Sequence, residues 1–158
     1  MESELDRNAL LIEDNKILRK IMSAFLHELA YTVDLVQKDK KAVKKALDNE
    51  YNLIILAISS KEFVKDEFIS LVRKSKNVGT PVIAWSELIY KKNKDLYLAW
   101  GADAGLPRKC TVENLEDVIA QCSVIKSIER KFLHRRLRII EKLEKLKAIG
   151  RPLIKLIK

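Results

Sequence analysis

Tyr51-Asn52-Leu53-Ile54-Ile55-Leu56-Ala57-Ile58-Ser59-Ser60 is the stretch on which the fold turns. It is a short apolar run, rich in β-branched residues, that stops abruptly at small polar ones. That pattern predicts a strand buried on both faces, ending where a loop opens. Similar runs precede and follow it. Ala9-Leu10-Leu11-Ile12 closes on Glu13-Asp14-Asn15, a strand leading into a helix with Asp14 or Asn15 as N-cap. Thr32 to Val36 alternates as a second strand. Val82-Ile83-Ala84-Trp85 is a fourth buried strand ending at Ser86, and Ala104-Gly105-Leu106 is a weak fifth ended by Pro107.

Helical spacing fills the intervals. From Ile17 the residues Ile21, Ala24, Phe25 and Leu29 predict one buried stripe. Lys40 to Asn49 is a basic amphipathic helix with Ala42, Val43 and Ala46 inward. Phe63 to Lys74 presents Phe68, Leu71 and Val72, and Leu88 to Trp100 is a less regular helix stopped by Gly101. Thr111 caps a helix starting near Val112. Strands alternating with helices predict a parallel sheet covered on both faces, with its ligand site at the carboxyl ends of the strands. Glu13, Asp14, Ala57, Ser86 and Arg108 fall there.

These features resemble the response-regulator receiver (CheY-like) family over roughly residues 8 to 121, carried by the Glu13-Asp14 pair, the five strand-like runs and the Gly101-Ala102-Asp103 step. The resemblance implies a flavodoxin-like (βα)5 fold with strand order 2-1-3-4-5. It also implies that the end of the third strand should hold a phosphoaccepting aspartate, and this chain has Ala57. A methyl group cannot attack phosphorus, so the expectation is a pseudo-receiver without a catalytic residue. Glu13 and Asp14 match the family's Mg²⁺-binding pair, weak metal candidates once the third carboxylate is gone. Ser86 stands where a phosphoryl-binding Thr or Ser is usual. The family's lysine is matched by Arg108 or Lys109, since Pro107 precedes rather than follows the cation. Arg108 is expected to bridge Asp14 and fill the vacated ion site. Gly105 replaces the aromatic residue that moves on activation. Tyr97 or Trp100, if exposed, would anchor a protein partner.

The chain carries 31 Lys or Arg against 22 Asp or Glu, and the excess is local. From Arg130 onward there are eleven basic residues and two glutamates, leaving the preceding part neutral. No Gly or Pro interrupts Thr111 to Ile149, so the last helix should reach 55–60 Å at ~1.5 Å per residue. Domains are expected at 1–121, receiver-like, and 122–158, a basic helical extension with a short tail. Val118, Ile125, Phe132, Ile139 and Leu146 recur every seven residues, and Ile128 and Leu143 widen the stripe, predicting a homodimer. Arg130, Lys131, Arg135, Arg138, Lys142 and Lys145 form a basic face, either solvated or a site for nucleic acid or an anionic surface.

The remaining features are bland. Ser59 and Ser60 are ordinary loop hydroxyls, and His27 and His134 lack neighbours at ligand spacing. Cys110 and Cys122 read as reduced thiols. The acidic start is unlike a signal peptide, and no run approaches a membrane span. The sequence therefore predicts a cytoplasmic, non-enzymatic signalling protein with no cofactor, acting through protein partners. The alternative is a nucleic-acid-binding regulator using the basic helix.

Overall fold

The computed structural model describes residues 7–59, 67–90 and 96–149. Five strands form one parallel sheet in the order β2-β1-β3-β4-β5: β1 (Asn8–Ile12), β2 (Thr32–Val36), β3 (Leu53–Ala57), β4 (Val82–Ser86) and β5 (Ala104–Pro107). The helices are α1 (Lys16–Glu28), α2 (Lys40–Asp48), α3 (Glu67–Arg73), α4 (Leu96–Ala99) and α5 (Val112–Ile149). β3 lies at the centre, with Leu56 level with Ile12 on one side and Ala84 on the other. All five of its residues are buried, as are those of β4.

Alternation along the strands divides the core in two. Leu10, Ile12, Ile54, Leu56, Val82 and Ala84 pack with α2 and α3 residues on one face. Ala9, Leu11, Ile55, Ala57, Ile83, Trp85 and Leu106 pack with α1 and the start of α5 on the other. Asn15 caps α1 by accepting from the N–H groups of Ile17 and Leu18. The packed stripe of α1 is not the expected one. Met22 and Leu26 are buried, and Leu18, Phe25 and Leu29 support them, whereas Ile17 is 71% exposed and Ile21 and Ala24 also face out. Both faces carry apolar side chains at helical spacing, so periodicity did not single out the core side. Leu71 of α3 likewise faces out.

One polar side chain ties the amino-terminal edge of the sheet together. Asn77 is fully buried and donates to the carbonyls of Ala46 (2.6 Å) and Asn49 (2.8 Å). Its Oδ1 accepts from the Tyr51 N–H and the Thr80 hydroxyl, fixing the entry of β3 against the end of α2. Arg73 pairs with Asp103 at 2.7 Å, and Asp103 also accepts from the Val82 N–H. Gly101 turns the chain before them at φ +81°, a conformation that favours glycine. Of the expected helices at 63–74 and 88–100, residues 63–66 and 91–95 lie outside the described residues.

The chain divides into two compact units, Met1–Ser123 and Val124–Lys158. In the first, Thr111 and Asn114 exchange side-chain-to-backbone hydrogen bonds that start α5, and Leu115 and Cys122 are buried. Val118, the first residue of the predicted dimer stripe, is partly buried against that core. In the second unit, the described helix exposes Ile125, Ile128, Phe132, Ile139, Leu143 and Leu146, each by more than 40%. Among the described residues no helix is long and apolar enough to cross a membrane.

Candidate functional site

The carboxyl ends of β1 and β3, the loop after β2 and the residue following β5 enclose a cavity of about 160 Å³. Its lining is Ile12, Glu13, Asp14, Asn15, Lys38, Ala57, Ser59 and Arg108. Ala57, the last residue of β3, presents only a methyl group there. Among the described residues no group of three or more His, Cys, Asp or Glu could hold a metal ion.

The acidic pair is committed to internal partners. Glu13 is 4% exposed; one carboxylate oxygen accepts from the Asn15 N–H at 2.9 Å, and the other pairs with the Arg108 guanidinium. Asp14 is exposed and accepts from the Lys38 N–H at 2.7 Å, joining the end of β1 to the loop after β2. Arg108 thus lines the pocket, but its partner is Glu13 and not Asp14. Strand parity explains this. Continuing the alternation of Ala9 and Leu11 one step past β1 to Glu13, and of Leu106 one step past β5 to Arg108, puts both charges on one side of the sheet. The guanidinium carbon also lies over the Trp85 ring, 4.7 Å from its centroid, and the Trp85 indole N–H donates to the Pro107 carbonyl at 3.2 Å. A planar cation between an aromatic face and a buried carboxylate is held in one orientation. Lys109 is exposed.

Ser86 is fully buried, and its hydroxyl accepts from the Leu88 N–H at 3.2 Å, a local turn. Gly105 has no room for a side chain: an added Cβ would lie 2.6 Å from Ile89 Cδ1 and 2.8 Å from Tyr97 Cδ1. Tyr97 and Ile89 fill the space on this face of β5. Trp100, an anchor candidate on condition of exposure, is 6% exposed within the α2–α3 core and does not meet that condition. Tyr97 is partly buried against the same core. Burial raises the Cys110 thiol above its usual range, against a smaller lowering influence of the nearby Trp85 indole.

A parallel sheet in this order, with an acidic pair and a cation meeting at its strand ends, has the CheY-like response-regulator receiver fold. No family model matches the chain. It is similar to the response regulator ArlR of Staphylococcus haemolyticus, 29% identical over 108 residues, 68% of this chain and 48% of that protein. It is also similar to the autoinducer 2 sensor kinase/phosphatase LuxQ of Vibrio vulnificus, 25% identical over 68% of this chain and 13% of that protein. The chain thus spans less than half the length of these curated relatives. Among solved structures, chemotaxis protein CheY4 of Vibrio cholerae superposes with a TM-score of 0.63 at 22% identity, covering 73% of this chain and 98% of that one.

Proposed function

We propose that this chain is a phosphorylation-independent, receiver-like signalling protein that works through protein–protein contacts and pairs with a second copy through residues 124–149. The observation carrying this reading is the occupant of the pocket. Ala57 supplies no nucleophile, and the Arg108–Glu13 pair takes up the place and the carboxylate that a divalent ion would need. No phosphoryl chemistry follows from such a site, and the domain is not an enzyme. The surfaces, held in one state, carry the signal.

Pairing is supported by the exposed stripe of Ile125, Ile128, Phe132, Ile139, Leu143 and Leu146. Lys131, Arg135, Arg138, Lys142 and Lys145 are exposed as well, which supports the second reading, contact with nucleic-acid phosphates; the Arg130 side chain lies outside the described residues.

Two measurements on the full chain test the proposal. Amide NMR spectra should not change on adding Mg²⁺ with beryllofluoride, which mimics a phosphoryl group by binding an acceptor carboxylate oxygen that Ala57 lacks. Light scattering should give twice the chain mass, falling to the single mass for Phe132→Glu. A monomeric wild type would refute pairing. DNA binding that survives in the monomeric variant and falls steeply with salt would favour the second reading.

A further inference from the structure

We infer that the second copy lies antiparallel along residues 124–149, matching opposite charges across the seam between the two helices. This rests on the pairing proposed above and adds its direction. Ile125, Glu129, Phe132, Arg136, Ile139 and Leu143 follow one another at alternating steps of four and three, a period of 3.5 residues. Ile125, Phe132, Ile139 and Leu143 are each more than 40% exposed, and Arg136 is exposed among them. Leu115, Val118 and Cys122 extend the same spacing toward the start of α5. Leu115 and Cys122 are buried and Val118 is partly buried against the first unit's core, so the part of the seam open to a partner begins at Ile125. It contains two ionisable positions of opposite sign, seven residues apart.

A parallel, in-register pair sets like against like at every level. Position 129 would bring two carboxylates together in the seam and position 136 two guanidiniums, where lowered dielectric makes each repulsion costly. The flanks add to this. Residues 135–147 carry six basic side chains and two glutamates, whereas 124–134 carry three and one, so the more basic half would lie on its own copy. Turning one helix about a two-fold axis beside His134, midway between Ile125 and Leu143, removes both conflicts. Ile125 of one copy is then level with Leu143 of the other, Glu129 with Ile139, and Phe132 with Arg136. Arg136 crosses the Phe132 ring and stands one helical turn from Glu129 of the other copy, and symmetry repeats that match. A charged position inside an apolar seam fixes direction and register in this way. The two Val124 residues then lie about 30 Å apart along the axis, so the pair presents one first unit at either end.

The test is a distance between nitroxide labels on the full chain, carried by Ala148→Cys with Cys110→Ala and Cys122→Ala, and read by double electron–electron resonance. Antiparallel copies place the two labels about 45 Å apart, and parallel copies about 25 Å. The shorter distance would overturn the inference and leave the pairing intact. Charge exchange gives a second reading without labels, by sedimentation equilibrium of chains with native cysteines. Arg136→Glu or Glu129→Arg alone sets like charges together in the antiparallel pair and should weaken self-association about tenfold or more. The double variant restores the match and should return to within a few-fold of wild type. In a parallel pair each single change only exchanges one like-charge level for another, so unaltered single variants would also overturn the direction. A single-chain mass for the wild type, with no coupling between labels, would instead overturn the pairing beneath it.

Discussion

Removing the cation from the Arg108–Glu13 pair should be the most damaging polar substitution in the pocket. Arg108→Met preserves much of the side-chain volume but leaves the Glu13 carboxylate, 4% exposed, without its charge partner. Breaking a buried ion pair from one side costs about 3–5 kcal/mol; because the Arg108 side chain is 19% exposed, the lower end applies, about 3 kcal/mol. That figure includes the stacking on Trp85, about 0.5–1 kcal/mol at a partly exposed site. Glu13→Gln should cost less, since an amide oxygen still accepts from Asn15. Replacing both residues removes the stranded charge, so the double variant should recover about 2 kcal/mol relative to the sum of the singles. Urea denaturation followed by tryptophan fluorescence measures all three. A loss under about 0.5 kcal/mol for Arg108→Met, or additive single effects, would refute the pairing as the organiser of the pocket.

Three further outcomes follow from the packing. Asn77→Ala strands the Ala46 and Asn49 carbonyls and the Tyr51 N–H, and should lower stability by about 3 kcal/mol in urea melts. Ala30 sits at φ +66° just past α1, where glycine is unstrained; Ala30→Gly should raise the urea midpoint by about 1 kcal/mol equivalent. Burial first, then the hydrogen bond to Asp34 at 2.7 Å, raises the Tyr51 phenol above its ordinary value of 10.0. The unfolded chain therefore releases that proton first, and stability is lost as pH rises above 10. Tyr51→Phe should flatten that alkaline fall in denaturation midpoints between pH 10 and 12.

Much of the fold was legible because buried parallel strands write themselves as apolar runs closed by polar residues. Val82 to Ser86 gives the limits of β4 directly, and the apolar run from Leu53 to Ala57 gives those of β3. The inward face of α1 was not, because Ile17 and Ile21 mimic a core stripe that Met22 and Leu26 provide. At the pocket, the residue types were readable but not their pairing. Counting alternation from Leu11 to Glu13 and from Leu106 to Arg108 would have put the two charges on one side. Trp85 belongs to that side as well, yet nothing in its local sequence marks it as a platform for a guanidinium. Asn77 stands in a polar turn with nothing local to mark it; its role depends on carbonyls 28 and 31 residues away, beyond any local pattern.

Incubating the full chain with acetyl phosphate and Mg²⁺, and weighing the intact protein by mass spectrometry, tests the central claim most directly. An unchanged mass is the predicted result. Addition of one phosphoryl group, lost on mild alkaline treatment as an acyl phosphate would be, would contradict it.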